Sequence, residues 1–367
     1  MLLGGGARAA YQVGVLKGIA QILPRRAPNP FPVVTGVSAG AVSALALAAD
    51  SAHYRRAVHS LERVWREFRV AQVFRADAAS MFQAGLHWLA ALASGGLVAQ
   101  APHALFDNGP LWQLLGERLE FDRIPRGLAH GSLRAIGIAA TSYEDGESVT
   151  YYDALAGVEP WRRAYRRGVR TPIALDHVMA SLAIPFLFRP VRLADGFYGD
   201  GAMRQTSPLG SAVHLGAERL LVIGVAERRR ETLAAQGPLP EPSYGRMFGF
   251  MLDSLFTDHV DADIERIALH NRAPGIRPIE SMIIRPSRPL LPIALRHVAR
   301  LPRSLRVLLR TIGAGGAAGT QLMSYLMFES AFTRDLIALG VEDALACADE
   351  LSRFLGFDSA RAPVSRR

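Results

Sequence analysis

Gly36-Val37-Ser38-Ala39-Gly40 follows Val33-Val34, the end of a short apolar run, and leads into Ala41-Val42-Ser43-Ala44-Leu45-Ala46-Leu47-Ala48-Ala49. The first run reads as a strand and the last as a helix, so the pentapeptide is a sharp strand-to-helix turn. Such a turn crowds the flanking positions, which explains a glycine on each side, and it leaves the Ser38 hydroxyl at the start of a helix. There, backbone N–H groups and the helix dipole favour developing negative charge. Chance alone can supply a Gly-x-Ser-x-Gly pattern, so the context has to carry the reading.

Working outward, Met1-Leu2-Leu3 runs into Gly4-Gly5-Gly6-Ala7-Arg8, and Tyr11 to Leu23 has helical apolar periodicity. Three residues are short for a strand, so either the first strand is a stub or the natural start lies upstream. Leu133 to Ala140 reads as a strand, Glu144 to Glu147 as a hairpin turn, and Ser148 to Tyr152 as its partner. The basic run Arg162, Arg163, Arg166, Arg167 and Arg170 is expected to be a solvated helix face. Arg219 to Ala226 is the continuous apolar run of a buried parallel strand. Ala52 to Leu119 is mostly helical, with Phe82 to Val98 expected as a core helix or a cap over an apolar pocket. This alternation predicts an α/β fold with helices on both faces of a mostly parallel sheet.

The chain has 367 residues, half of them hydrophobic, which is enough for a large core and excludes wholesale disorder. Basic residues number 42 and acidic residues 33, giving a net charge of +9, and every basic residue but Lys17 is arginine. The single cysteine, Cys347, excludes an internal disulfide. Glycine at position 4 interrupts any secretory signal before an apolar region can form, so a cytoplasmic location is expected.

A nucleophilic serine needs a base and a site for the oxyanion it creates. The histidines beyond residue 200 are His214, His259, His270 and His297, and none follows a strand in a turn that would offer it as base. Asp200 is the better candidate, because Gly201 allows the sharp bend that would present a carboxylate at the mouth of the sheet. An ordinary Asp-Gly turn is the competing reading. Gly4, Gly5 and Gly6 can form a concave cluster of N–H donors. A dinucleotide loop is the rival there, but Ala9 holds its closing glycine position and no acid comes before Asp50. Asp258, His259, Asp261 and Asp263 lie at the front of a helix without converging on one face, so no metal site and no cofactor are expected.

Gly4-Gly5-Gly6-Ala7-Arg8, Gly36-Val37-Ser38-Ala39-Gly40, Ala180-Ser181 with Ile184-Pro185, and Asp200-Gly201-Ala202 with Pro208-Leu209 occur in one order. In that order the chain resembles the patatin-like phospholipase family over about residues 1 to 225. The resemblance implies a three-layer α/β/α patatin-like fold and a serine hydrolase of acyl ester lipids, a phospholipase A or lipid acyl hydrolase. It implies Ser38 as nucleophile, Asp200 as general base and Gly4, Gly5 and Gly6 as oxyanion hole. Gly36, Gly40 and Gly201 would be the motif glycines, and Arg8 would brace the glycine loop or meet a lipid phosphate. Ala9 departs from the family's pattern, where a glycine closes the first motif.

The expected organisation is a catalytic domain over 1–227, a linker over 228–242 and a mainly helical region over 243–367, packed on the catalytic domain or facing a membrane. Between Glu280 and Glu329 there is no acid but there are seven arginines. Arg296, Arg300, Arg303, Arg306 and Arg310 share one side of a helical wheel opposite Val298, Leu301, Leu305, Leu308 and Ile312. That pattern fits either an anionic membrane surface on the inner face or a helix packed on the protein with a solvated arginine face. A lipid acyl ester is the expected substrate, with no nucleic-acid partner. The alternatives are a lipid acyltransferase or general carboxylesterase, and a non-catalytic lipid-binding or membrane-binding protein.

Overall fold

The computed structural model describes residues 1–94, 103–226, 241–275, 277–314 and 320–357. The expected linker lies outside them except for its last two residues, and so does the end of the Phe82 to Val98 segment. The strands among the described residues are β1 (Val33–Val37), β2 (Ala135–Ser142), β3 (Ser148–Ala154), β4 (Trp161–Arg163), β5 (Arg166–Arg170), β6 (Val191–Leu193), β7 (Gly196–Asp200), β8 (Arg219–Ile223) and β9 (Glu280–Ile284).

The fold is α/β, and its central sheet is mixed rather than mostly parallel. β2 pairs parallel with β1 but antiparallel with β3 and β7. β3 pairs parallel with β5, while β4–β5 and β6–β7 are antiparallel. For β2–β3, β4–β5 and β6–β7 the cause is local: the turns after β2, β4 and β6 are too short for helical crossovers, so they make hairpins. The arginine run expected on a helix is the β4–β5 hairpin, turned at Tyr165 with φ +58°. Arg167 points inward from β5 to Asp145, Glu147 and Asp195, an alternation of roles that period-two strand geometry produces.

Leu2 lies between β1 and β8 as a single bridging residue. It bridges in parallel to Gly36 of β1 and to Ile223 of β8, joining the β8–β9 pair to the rest of the sheet. Successive residues of β8 face different cores. Leu221 and Ile223 join the main cluster, while Leu220 and Val222 join Leu3, Leu209, Ala212, Val260 and Ile267. Helices therefore cover both faces, which is why β8 is apolar throughout.

Helix α1 (Ala10–Ile22) packs along the helix Ser330–Ala346, and their buried side chains belong to one continuous core. The C-terminal helices are thus integral to the α/β core, and β9 extends the sheet by pairing with β8. Among the described residues, no helix is long and apolar enough to cross a membrane.

The two helices touch through backbone. A methyl group added at Gly14 would lie 2.1 Å from the Ile337 carbonyl oxygen, and one at Gly340 would lie 2.3 Å from that of Tyr11. Alanine gains about 1 kcal/mol of helix propensity over glycine, but overpacking against backbone costs about 1–3 kcal/mol. Gly14→Ala and Gly340→Ala should each lower the urea midpoint of unfolding. A midpoint at or above that of the unsubstituted protein would contradict this packing.

Candidate active site

β3 occupies one edge of β2, so β1 and β7 must share the other. β1 runs up that edge to Val37 opposite Ala139, and β7 runs down it to Asp200 opposite Ala140. The two strands meet end-on, and the chain has to leave the sheet at Ser38 and at Gly201. A methyl group at Gly201 would lie 2.2 Å from the Ala139 carbonyl oxygen and 2.8 Å from a Val37 methyl group. Glycine is required there by space.

Ser38 leaves β1 with φ +52° and ψ −131°, an unfavourable conformation for a residue with a side chain, and helix α2 (Ala39–Ala49) begins at the next residue. Two contacts hold this strained turn. The Ser38 N–H donates to Ser181 Oγ at 2.8 Å, and α2 folds back so closely that methyl groups at Gly36 and Gly40 would meet backbone at 2.4 and 2.2 Å. Ser181 lies on the helix Leu175–Leu182 and is fully buried. It positions the turn, a role its sequence neighbourhood does not reveal.

Asp200 is 2% exposed. Its N–H donates to the Ala183 carbonyl at 2.9 Å, its carbonyl accepts from Thr141 Oγ1 at 2.8 Å, and its Oδ1 accepts from the Ala202 N–H at 2.9 Å. The remaining oxygen, Oδ2, is buried without a hydrogen-bond partner, and so is Ser38 Oγ. Burial pushes the Asp200 pKa up to about 7, against smaller lowering effects from the nearby Ser38 hydroxyl and the Ala202 N–H. The hydroxyl thus stands close enough to favour the carboxylate, but the two atoms fall short of hydrogen-bond geometry in the resting site.

Gly4, Gly5 and Gly6 continue from the Leu2 bridge into the space beside Ser38, where a methyl group at Gly4 would lie 3.1 Å from Ser38 Cβ. Among the described residues, no acceptor takes the N–H of any of the three. Gly6 has φ +51°, and a methyl group there would lie 2.4 Å from the Tyr325 carbonyl oxygen. Arg8, at 2% exposure, is buried against the C-terminal helices. It donates from Nε to Ser324 Oγ at 2.8 Å, from Nη1 to Asp253 Oδ1 at 2.9 Å and to the Tyr325 hydroxyl at 3.1 Å, and from Nη2 to the Gln321 carbonyl at 3.4 Å. Its guanidinium also lies 3.9 Å from the centre of the Tyr325 ring. Every nitrogen is engaged, so Arg8 braces the loop and presents no face to a lipid phosphate. Nothing local in the sequence links Arg8 to Asp253 or Tyr325, which come from the C-terminal region.

Ser38 and Gly6 line a cavity of about 30 Å³ whose other walls include Trp65, Leu111, Leu182, Phe188 and Leu326. His214 stacks on Trp161, and His297 lies 2.8 Å from Asp335. Asp261 pairs with Arg285, while Asp263 accepts from Ser207 Oγ and the Leu209 N–H. Of the expected basic stripe, Arg296 pairs with Asp335 and Arg306 is half-buried with an unpartnered Nε. Arg300, Arg303 and Arg310 are exposed and make no salt bridge among the described residues.

A comparison of the sequence with family models matches the one described as Patatin-like phospholipase over residues 1–213. No curated protein matches. Among solved structures, VipD from Legionella pneumophila aligns with a TM-score of 0.34 and 14% identity, over 88% of this chain and 65% of that one. A likeness that weak says nothing further about this chain.

A carboxyl whose folded pKa is raised binds its proton more tightly when folded. Its contribution to stability is complete below the unfolded value near 3.8 and is lost as pH rises through about 7. Asp200→Asn keeps the Oδ1 acceptor and removes the charge. The variant should therefore melt at a higher temperature than the native protein at about pH 8, and the difference should shrink towards about pH 4. A pH-independent difference would mean that Asp200 is not held in this buried state.

Proposed function

The chain belongs to the patatin-like phospholipase family, and from that membership and its site we propose that it hydrolyses acyl esters of lipids with Ser38 and Asp200. One observation carries the reading: Ser38 Oγ and Asp200 Oδ2, at the meeting ends of β1 and β7, are both buried and both unpartnered. Buried polar atoms are ordinarily satisfied, and two left open in one place mark a site built for a reacting group.

In this reaction Ser38 Oγ attacks the ester carbonyl carbon as Asp200 Oδ2 takes the hydroxyl proton. The carbonyl oxygen becomes an oxyanion held by the glycine-loop N–H groups, each donor typically worth about 10²–10³ in turnover. The C–O bond to the alcohol then breaks, and Asp200 returns the proton to the leaving oxygen. Water attacks the acyl-Ser38 carbonyl carbon, giving a proton to Asp200, and as the C–O bond to Ser38 breaks Asp200 passes that proton to Ser38 Oγ and the acid leaves. An aspartate with an ordinary pKa near 3.9 is a weak base towards serine. At about 7 it combines substantial ionisation at neutral pH with greater basicity. Acyl transfer to an alcohol would use the same acyl-enzyme.

Docking on an anionic membrane is part of the proposal. It is supported by Arg300, Arg303 and Arg310, which are exposed and make no salt bridge among the described residues, while Leu305 and Leu309 pack in the protein core, so the contact would be made by the arginines.

Hydrolysis of a short-chain aryl ester and of phospholipid vesicles tests the reading. Ser38→Ala should abolish turnover, and Asp200→Asn should lower it by at least about 10². Native kcat/KM should rise with unit slope towards about pH 7 and level off above it, because the base works ionised. Changing Arg300, Arg303 and Arg310 together to Gln should remove a preference for anionic over zwitterionic vesicles. Unchanged turnover in either dyad variant, or a flat profile from about pH 5 to 8, would sink the dyad.

A further inference from the structure

Beside the small cavity at Ser38 lies a hollow of about 400 Å³. Its wall is formed by Phe186, by Met247 and Phe248 of the helix Tyr244–Asp253, by Leu309 of the helix Arg303–Thr311, and by Leu326 at the end of the helix Thr320–Leu326. Among the described residues, every lining side chain is apolar except that of Tyr244, which ends in a hydroxyl. Leu326 lines both spaces and is the partition between them. The Ser38 cavity, at about 30 Å³, has room for little more than water, so a long chain attached to the reacting carbonyl must lie elsewhere.

Two further observations mark the hollow as a binding site. Phe186 stands at its mouth with φ +66° and 72% exposure, an unfavourable backbone for a bulky residue and an unfavourable position for a bare aromatic ring. Its carbonyl accepts from the Leu105 N–H at 2.8 Å, which fixes that backbone, and its ring meets Phe248 edge-on at 6.4 Å. Tyr244 and Met247 are also exposed, so the mouth is an apolar patch open to solvent. The helix that supplies Leu309 also carries the exposed Arg303 and Arg310, which complement an anionic headgroup.

We infer that this hollow holds the acyl chain of the scissile ester, which reaches Ser38 past Leu326, so that the enzyme selects long-chain esters of anionic lipids. The inference rests on the proposed hydrolase reading. A chain held only by apolar walls gains affinity roughly fourfold for each methylene buried, until the hollow is filled. Selectivity for length therefore belongs to the residues that shape the hollow, and Leu326 controls passage between the two spaces.

The test compares the ratio of kcat/KM for aryl palmitate to that for aryl butyrate in the native protein, Met247→Arg and Leu326→Ala. Met247 is half-exposed, so its replacement leaves the core intact, and equal circular dichroism and melting temperature check this. Met247→Arg should lower the ratio about tenfold by replacing apolar wall that about two methylenes of the chain would bury against, and Leu326→Ala should raise it. In a Ser38→Ala background, cis-parinaric acid, a fluorescent fatty acid, should bind, and Met247→Arg should weaken its binding. Probe binding weakened by Met247→Arg, in a native protein that hydrolyses neither ester, would keep the hollow and remove the hydrolase reading. Active enzyme whose ratio moves less than about twofold in both variants, with probe binding unaltered, would overturn the hollow and keep the hydrolase.

Discussion

Two strands that run in opposite directions along one edge of β2 cannot pass each other. Because β3 fills the other edge, β1 and β7 stop face to face at Ala139 and Ala140, and their last residues turn out of the sheet at one point. The rest of the site follows from that collision. Gly201 has to be glycine because the strand ends leave no room for a methyl group. Ser38 has to adopt a positive φ because α2 starts at the next residue. The Leu2 bridge, hydrogen-bonded along β1, delivers the three glycines to the same point from the third side.

Such a site is costly. It has a strained serine, a fully buried carboxyl and a loop of backbone donors that find no acceptor among the described residues, and each would relax if the surroundings allowed. The C-terminal helices oppose that relaxation. One lies against α1 at backbone contact distance, and Asp253, Ser324 and Tyr325 fix Arg8 at the base of the glycine loop. Met247, Leu309 and Leu326 bring the same region up to the apolar hollow. The mainly helical region after residue 242 is therefore part of what holds the glycine loop still and part of the wall of the apolar hollow.

Much of this was legible in the residues, and the parts that were not share a cause. Local rules find local features. The strand-to-helix turn at Ser38, the hairpin at Glu144 to Glu147 and the apolar β8 were readable because turn chemistry and side-chain period are written within a few residues. The pairing of Ser38 with Asp200 came from a family resemblance joined to the rule that glycine permits a sharp bend, since no spacing rule connects residues so far apart. The arginine run at β4–β5 misled because charge suggested a solvated helix, whereas Arg167 is drawn inward by Asp145, Glu147 and Asp195 from distant turns. The Ser181 bond to the turn at Ser38 and the inward turn of Arg8 depend on partners that only the folded chain brings near. The raised pKa of Asp200 is of the same kind, because burial belongs to the fold and not to a sequence position.

The central claim is that β1 and β7 deliver one nucleophile to one buried base. Covalent labelling with an alkyl fluorophosphonate, with the modified peptide located by mass spectrometry, tests it most directly. The account predicts a single adduct on Ser38, formed faster as pH rises towards about 7 and slowed by at least about 10² in Asp200→Asn. Labelling of another residue, or labelling of Ser38 at the same rate with and without the Asp200 carboxylate, would contradict it.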